Sequence, residues 1–86
     1  MLEPLLSLYY FHLRNGTDVL LDAEGRELDA AAVAAAALGE ARSIISHDAL
    51  AGRILLDQHI DVENGAGETV HCLAFADAVK IVPAPR

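Results

Sequence analysis

Residues 5–14, LLSLYYFHLR, crowd aromatic and β-forming side chains together, as a strand does. Asn15-Gly16 follows, the strongest short hairpin signal, because a type I′ turn needs positive φ at both central residues. The run VLLD at 19–22 is then the return strand. With Asn15 and Gly16 as the two turn residues, Arg14 faces Thr17, His12 pairs with Val19, Phe11 with Leu20 and Tyr10 with Leu21. One face carries Tyr9, Phe11, Leu13 and Leu20, and the other carries Tyr10, His12, Val19 and Leu21. DAEGREL, 22–28, reads as a turn and a short extension, with Gly25 supplying a left-handed conformation.

The periodicity then changes. Val33, Ala37, Leu38, Ala41, Ile44 and Ile45 recur at three- and four-residue spacing, which predicts one helix from residue 30 to about 51. Alanine favours it, Asp29 caps its start and Gly52 stops it. Ser46-His47-Asp48 offers an earlier break. HIDVE at 59–63 alternates, NGAG at 64–67 turns, and TVHCLAF at 69–75 is a fourth strand. ADAVKIV follows as a turn and a short extension. A four-residue loop in this second hairpin sets His59 opposite Cys72. A three-residue loop sets Ile60 opposite Cys72 and Val62 opposite Val70, which matches the apolar residues better and is preferred. The prediction is an α+β fold: a single four-stranded antiparallel sheet, order β-β-α-β-β, with one helix packed on one face. The chain forms one domain, 1–86, with an ordered core at about 8–81 and a tail at 82–86.

Length and charge narrow the possible functions. A chain of 86 residues buries only about 60–65% of the surface its unfolded form exposes, so further burial is expected from a disulfide, a metal or a partner. Cys72 is the lone cysteine, which removes the intramolecular disulfide. Hydrophobic residues make up 53% of the chain, which favours self-association as the remaining route. Net charge is −7, with six scattered Lys and Arg against thirteen Asp and Glu. Nucleic acid binding needs a basic footprint, and anionic membranes need one too, so both are disfavoured. MLEPLLSLYY has leucines but no basic region, and Glu3 and Pro4 interrupt it, so no targeting segment is read there. The expected location is cytoplasmic.

The reactive residue types form no recognised constellation. His12, His47, His59 and His71 lack the local pairs that zinc sites bring. His71 adjoins Cys72 but points to the opposite strand face, so Cys72 has no evident base. No carboxylate except Asp22, after Val-Leu-Leu, stands in an apolar stretch. No Gly-rich phosphate loop precedes a helix. No catalytic residue, cofactor or metal ligand is assigned. Tyr10, His12 and Arg14 share a face. Such a row can bind a ligand but is more often packed against a subunit or left half wet.

YFHLRNG at 10–16, D-x-E-G-x-E-L at 22–28 and a closing V-x-N-x-x-G…LAFADAV resemble a family of short bacterial proteins of unknown function. That family shares a Y-F-H-L-R-[DN]-G start and an F-x-D-A-V close, and the resemblance covers about residues 9–81. Here the helix begins AAAVAAAALGEAR where the family has a charged, Arg-containing start. A family tryptophan is missing, with His59 near its place. The resemblance implies the fold and carries no activity or functional residue. The layout also resembles, as a fold-level analogy, the small partner-binding domain of HicB-like antitoxins.

The expected function is a small non-catalytic interaction module acting as a homodimer. Its candidate interaction face is Tyr10, His12, Val19 and Leu21. One alternative is an acidic, antitoxin-like partner of a basic protein. Another is a small metal-binding or enzymatic protein using His59, His71 and Cys72.

Overall fold

The computed structural model describes residues 5–85. Glu3 and Pro4 of the leucine-rich start, and Arg86 of the tail, lie outside the described residues. Strand β1 spans Leu6–Asn15, β2 Asp18–Leu20 and β3 Arg26–Asp29. A 3-10 turn, Ala30–Ala32, leads into helix α1, Val33–Leu50. Strands β4, Gln58–Asn64, and β5, Thr69–Ala74, follow, and then a short helix α2, Phe75–Ala78. Among the described residues no helix is long and apolar enough to cross a membrane.

The sheet is antiparallel and has five strands rather than four. β1 and β4 pair along the middle, β5 lies outside β4, and β2 and β3 share the outer edge of β1. The fifth strand exists because β1 is ten residues long. β2 pairs only with its far end, at Leu13–Asn15, which leaves Leu6–Tyr9 for β3.

The first hairpin differs from expectation by one turn position. Asn15 pairs with Asp18, so Gly16 and Thr17 make the turn. Gly16 has φ 61°, and among the described residues no non-glycine has positive φ. Positive φ at the first central residue alone is the type II′ pattern, which spares β-branched Thr17 the left-handed region. Arg14 consequently faces Val19 rather than Thr17. That is a slide of two residues, and a slide of two keeps every side chain on its face.

The second hairpin starts in the preferred register and leaves it after one pair. Glu63 faces Thr69, but Val62 faces His71, so Val70 is an extra residue in a β-bulge. Beyond it Ile60 faces Leu73 and Asp61 faces Cys72. The bulge turns Leu73 onto the helix side, where a regular strand would have set Cys72.

The core lies between the sheet and α1. Val33, Ala37, Ala41 and Ile45 form the buried stripe of the helix, flanked by half-buried Leu38 and Ile44. They meet Tyr9, Ile60 and Val62 from the sheet and Phe75 and Ala78 from α2. The alanines let the helix lie close to the strands. Asp29 Oδ1 accepts from Ala31 N–H at 3.1 Å and caps the 3-10 start. The helix runs to Leu50 without a break at 46–48. Arg42 Nε donates to the Ala78 carbonyl at 2.8 Å and ties α1 to α2; Phe75–Ala78 is helical where a strand end and a turn were expected, and the chain is extended again at Val79.

Candidate functional site

α1 covers one face of the sheet, and no element among the described residues lies over the other. Strand alternation places Tyr10, His12 and Arg14 of β1 on this open face. Register sets them against Glu63, Asp61 and His59 of β4, and Cys72 of β5 lies beyond Asp61. The polar contacts run diagonally, His12 and Arg14 each reaching the carboxylate next to its direct partner. His12 Nε2 is 3.4 Å from Glu63 Oε1. Arg14 Nε donates to Asp61 Oδ2. His59 Nε2 lies 3.7 Å from Asp61 Oδ1. The Tyr10 and His12 rings stack, with centroids 6.4 Å apart.

His12 is buried, and its other ring nitrogen explains how. Nδ1 accepts from the Asp22 backbone N–H at 3.0 Å. A neutral ring then carries its proton on Nε2, toward Glu63. The Asp22 side chain occupies the gap between β2 and β3. Its Oδ2 accepts from Phe11 N–H at 3.1 Å, where β1 has no strand partner on that edge. Its Oδ1 accepts from Glu24 N–H at 3.2 Å and from Gly25 N–H at 3.1 Å, forming an Asx turn. Burial acts to raise the Asp22 carboxyl. The three N–H groups of Phe11, Gly25 and Glu24 outweigh it and hold the group below its ordinary value.

Asp61 is the hub of the row. Burial again acts to raise its carboxyl. Hydrogen bonds from Cys72 and Arg14 and the charges of His59 and Arg14 overcome that and lower it. For Cys72 the same hydrogen bond to Asp61, then burial and the charge of the carboxylate, push the thiol up against a smaller pull from Arg14. A thiol held protonated is a poor nucleophile. Its hydrogen-bond partner is the Asp61 carboxylate, with the His59 imidazole within 4.8 Å.

Of the expected face, Tyr10 is half-buried, His12 buried and Val19 exposed beside Arg14. Leu21 leaves the row. It falls beyond β2 and lines a cleft of about 290 Å³ on the helix side, with Phe11, Leu13 and Ile44. Arg26 closes one wall of that cleft, 4.9 Å above the Phe11 ring and 3.3 Å from Glu40. His71 points to the face opposite Cys72, as strand alternation led us to expect, and so is no companion of His59 and Cys72. It faces the helix side opposite Val62, near Tyr9 and Val33. Asp61 stands with His59 and Cys72 in its place. Sequence reasoning passed over Asp61 and Glu63, although the alternation of HIDVE already set His59, Asp61 and Glu63 on one face.

The family model for a domain of unknown function, DUF6894, matches residues 8–76, from β1 into α2. The chain belongs to that family, as its opening stretch led us to expect. No curated protein and no solved structure matches it.

Proposed function

We propose that this member of the DUF6894 family is a non-catalytic interaction module that pairs with a second copy of itself through the open face of the sheet. The observation that carries this reading is the distribution of side chains on that face. Leu6 and Leu8 extend the β1 row beyond Tyr10 and are 60% and 42% exposed. Glu27 pairs with Leu8 and Glu63 with Tyr10, so this end is apolar and acidic. Arg14 and His59 pair at the other end, two basic side chains around the one carboxylate of Asp61. A two-fold axis through the middle lays the basic end of one copy over the acidic end of the other, as a self-complementary interface requires. Tyr10 and Val19 join the contact, and Leu6 and Leu8 replace Leu21.

Surface area supports the same reading. The accessible surface is 6311 Å², against about 4,900 Å² for a compact monomer of this mass. The excess, about 1,400 Å² per chain, is more than the roughly 800 Å² that each partner of a standard interface removes from water.

Light scattering at micromolar concentration tests this. Twice the chain mass is expected, with Leu8→Arg shifting the protein to monomer while circular dichroism stays unchanged. A monomer across the concentration range, or a dimer indifferent to Leu8→Arg, overturns it.

A further inference from the structure

We propose that His59, Asp61 and Cys72 form a surface site for a divalent transition-metal ion of the zinc type. The three side chains come from adjacent strands, His59 and Asp61 two residues apart on β4 and Cys72 opposite Asp61 on β5. One ligand atom from each lies within 4.8 Å of the other two. Ligands on one tetrahedral zinc, at bond lengths of about 2.0–2.3 Å, are separated by roughly 3.3–3.6 Å. His59 Nε2 and Asp61 Oδ1 are 3.7 Å apart, so that pair closes by a few tenths of an ångström. Rotation of the exposed Cys72 side chain brings in the sulfur.

Arg14 gives the carboxylate a fixed role. It holds Asp61 Oδ2, leaving Oδ1, the oxygen facing His59, to bind a metal. A partner on the far oxygen of a ligating carboxylate is the usual supporting arrangement in metal sites. Mixed nitrogen, oxygen and sulfur donors favour zinc or cobalt over magnesium or calcium, which take oxygen alone. Loading is a proton-for-metal exchange. The metal replaces the proton of the Cys72 thiol, forms a metal–sulfur bond and releases that proton to solvent, while His59 and Asp61 supply lone pairs. In the single chain Cys72 is exposed and the His59 side chain is 38% exposed, so the fourth position opens outward from the face, to water or to a second copy paired over it.

Titration of the purified full chain with Co²⁺ tests the site, and its stoichiometry is read per chain whether the protein is monomer or dimer. One cobalt per chain is expected, with a near-ultraviolet thiolate-to-cobalt absorbance, about one proton released per ion near neutral pH, and displacement by Zn²⁺. Cys72→Ser removes that absorbance. His59→Gln and Asp61→Asn each weaken binding about ten-fold or more. His71→Ala, on the opposite face, leaves it unchanged. His59 is solvent-exposed enough for His59→Gln to stay folded, so it carries the test if Asp61→Asn does not fold. The absence of a thiolate band at millimolar Co²⁺ overturns the proposal. A band indifferent to His59→Gln, or lost equally in His71→Ala, overturns it too.

Discussion

Asp22 stands where the edge of β1 lacks a strand, and its carboxylate takes over the role of a backbone carbonyl at Phe11. Asp22→Ala leaves the Phe11, Glu24 and Gly25 N–H groups without that acceptor, and a loss of about 2 kcal/mol in denaturant stability is expected. The charge has a pH signature. The folded-state value of Asp22 lies below its ordinary 3.8. Its contribution is therefore fully present above that value and is lost as pH falls through the lower folded one. Asp61, also lowered, acts in the same sense. Stability of the native chain is expected to fall steeply in acid below about pH 4, and Asp22→Ala to show a shallower acid limb in urea melts across that range. The sequence set Asp22 directly after the apolar run Val-Leu-Leu. Its role was hidden because the vacancy it fills arises from two strands sharing one edge.

Two glycines separate what elements require from what they tolerate. Gly25 opens β3 with φ 73°, and a Cβ there meets the Tyr10 ring at 2.9 Å and the Tyr9 carbonyl at 3.2 Å. Gly25→Ala is expected to destabilise by more than about 1 kcal/mol, through both backbone strain and crowding. Gly39 sits inside α1, and an added methyl there would have open space for 4 Å around it. Gly39→Ala is expected to raise stability by about 0.5–1 kcal/mol. Paired thermal melts check both signs. α1, β1, β4 and the hairpins were legible because their apolar periods of 3.6 and 2 differ and glycines separate them. β3 was not, since RELD is too short to show a period. The bulge at Val70 was not, since the gain from turning Leu73 inward depends on a helix elsewhere in the chain.

The whole chain rests on a small core in which Phe75, Ile60 and Val62 are the largest fully buried side chains. Phe75 comes from a stretch expected to end a strand, yet it fills the space between α1 and the sheet. Phe75→Ala is expected to cost about 3–5 kcal/mol, against a total of roughly 4–13 kcal/mol for a chain of this length. The variant should melt well below the native protein by circular dichroism. Pairing through the open face adds a concentration dependence, because a partner that binds only the folded state stabilises it by mass action. The melting temperature is expected to rise with protein concentration, and to stop doing so in Leu8→Arg.

Local sequence was enough for the two hairpins with the long helix between them, the buried stripe of α1, the caps and the family of the chain. All of these depend on neighbours within a turn or a pleat. It was also enough to divide YYFHLRNG between two faces, since alternation survives a slide of two residues. The grouping of His59, Asp61 and Cys72 under Arg14 depended on long-range contacts instead. So did the departure of Leu21 from its expected place. One extra residue in β5 reverses which side chains face the helix, and residues 47 positions apart, Arg14 and Asp61, become partners. Packing of the apolar side chains sets those registers, and the polar row on the open face follows from them.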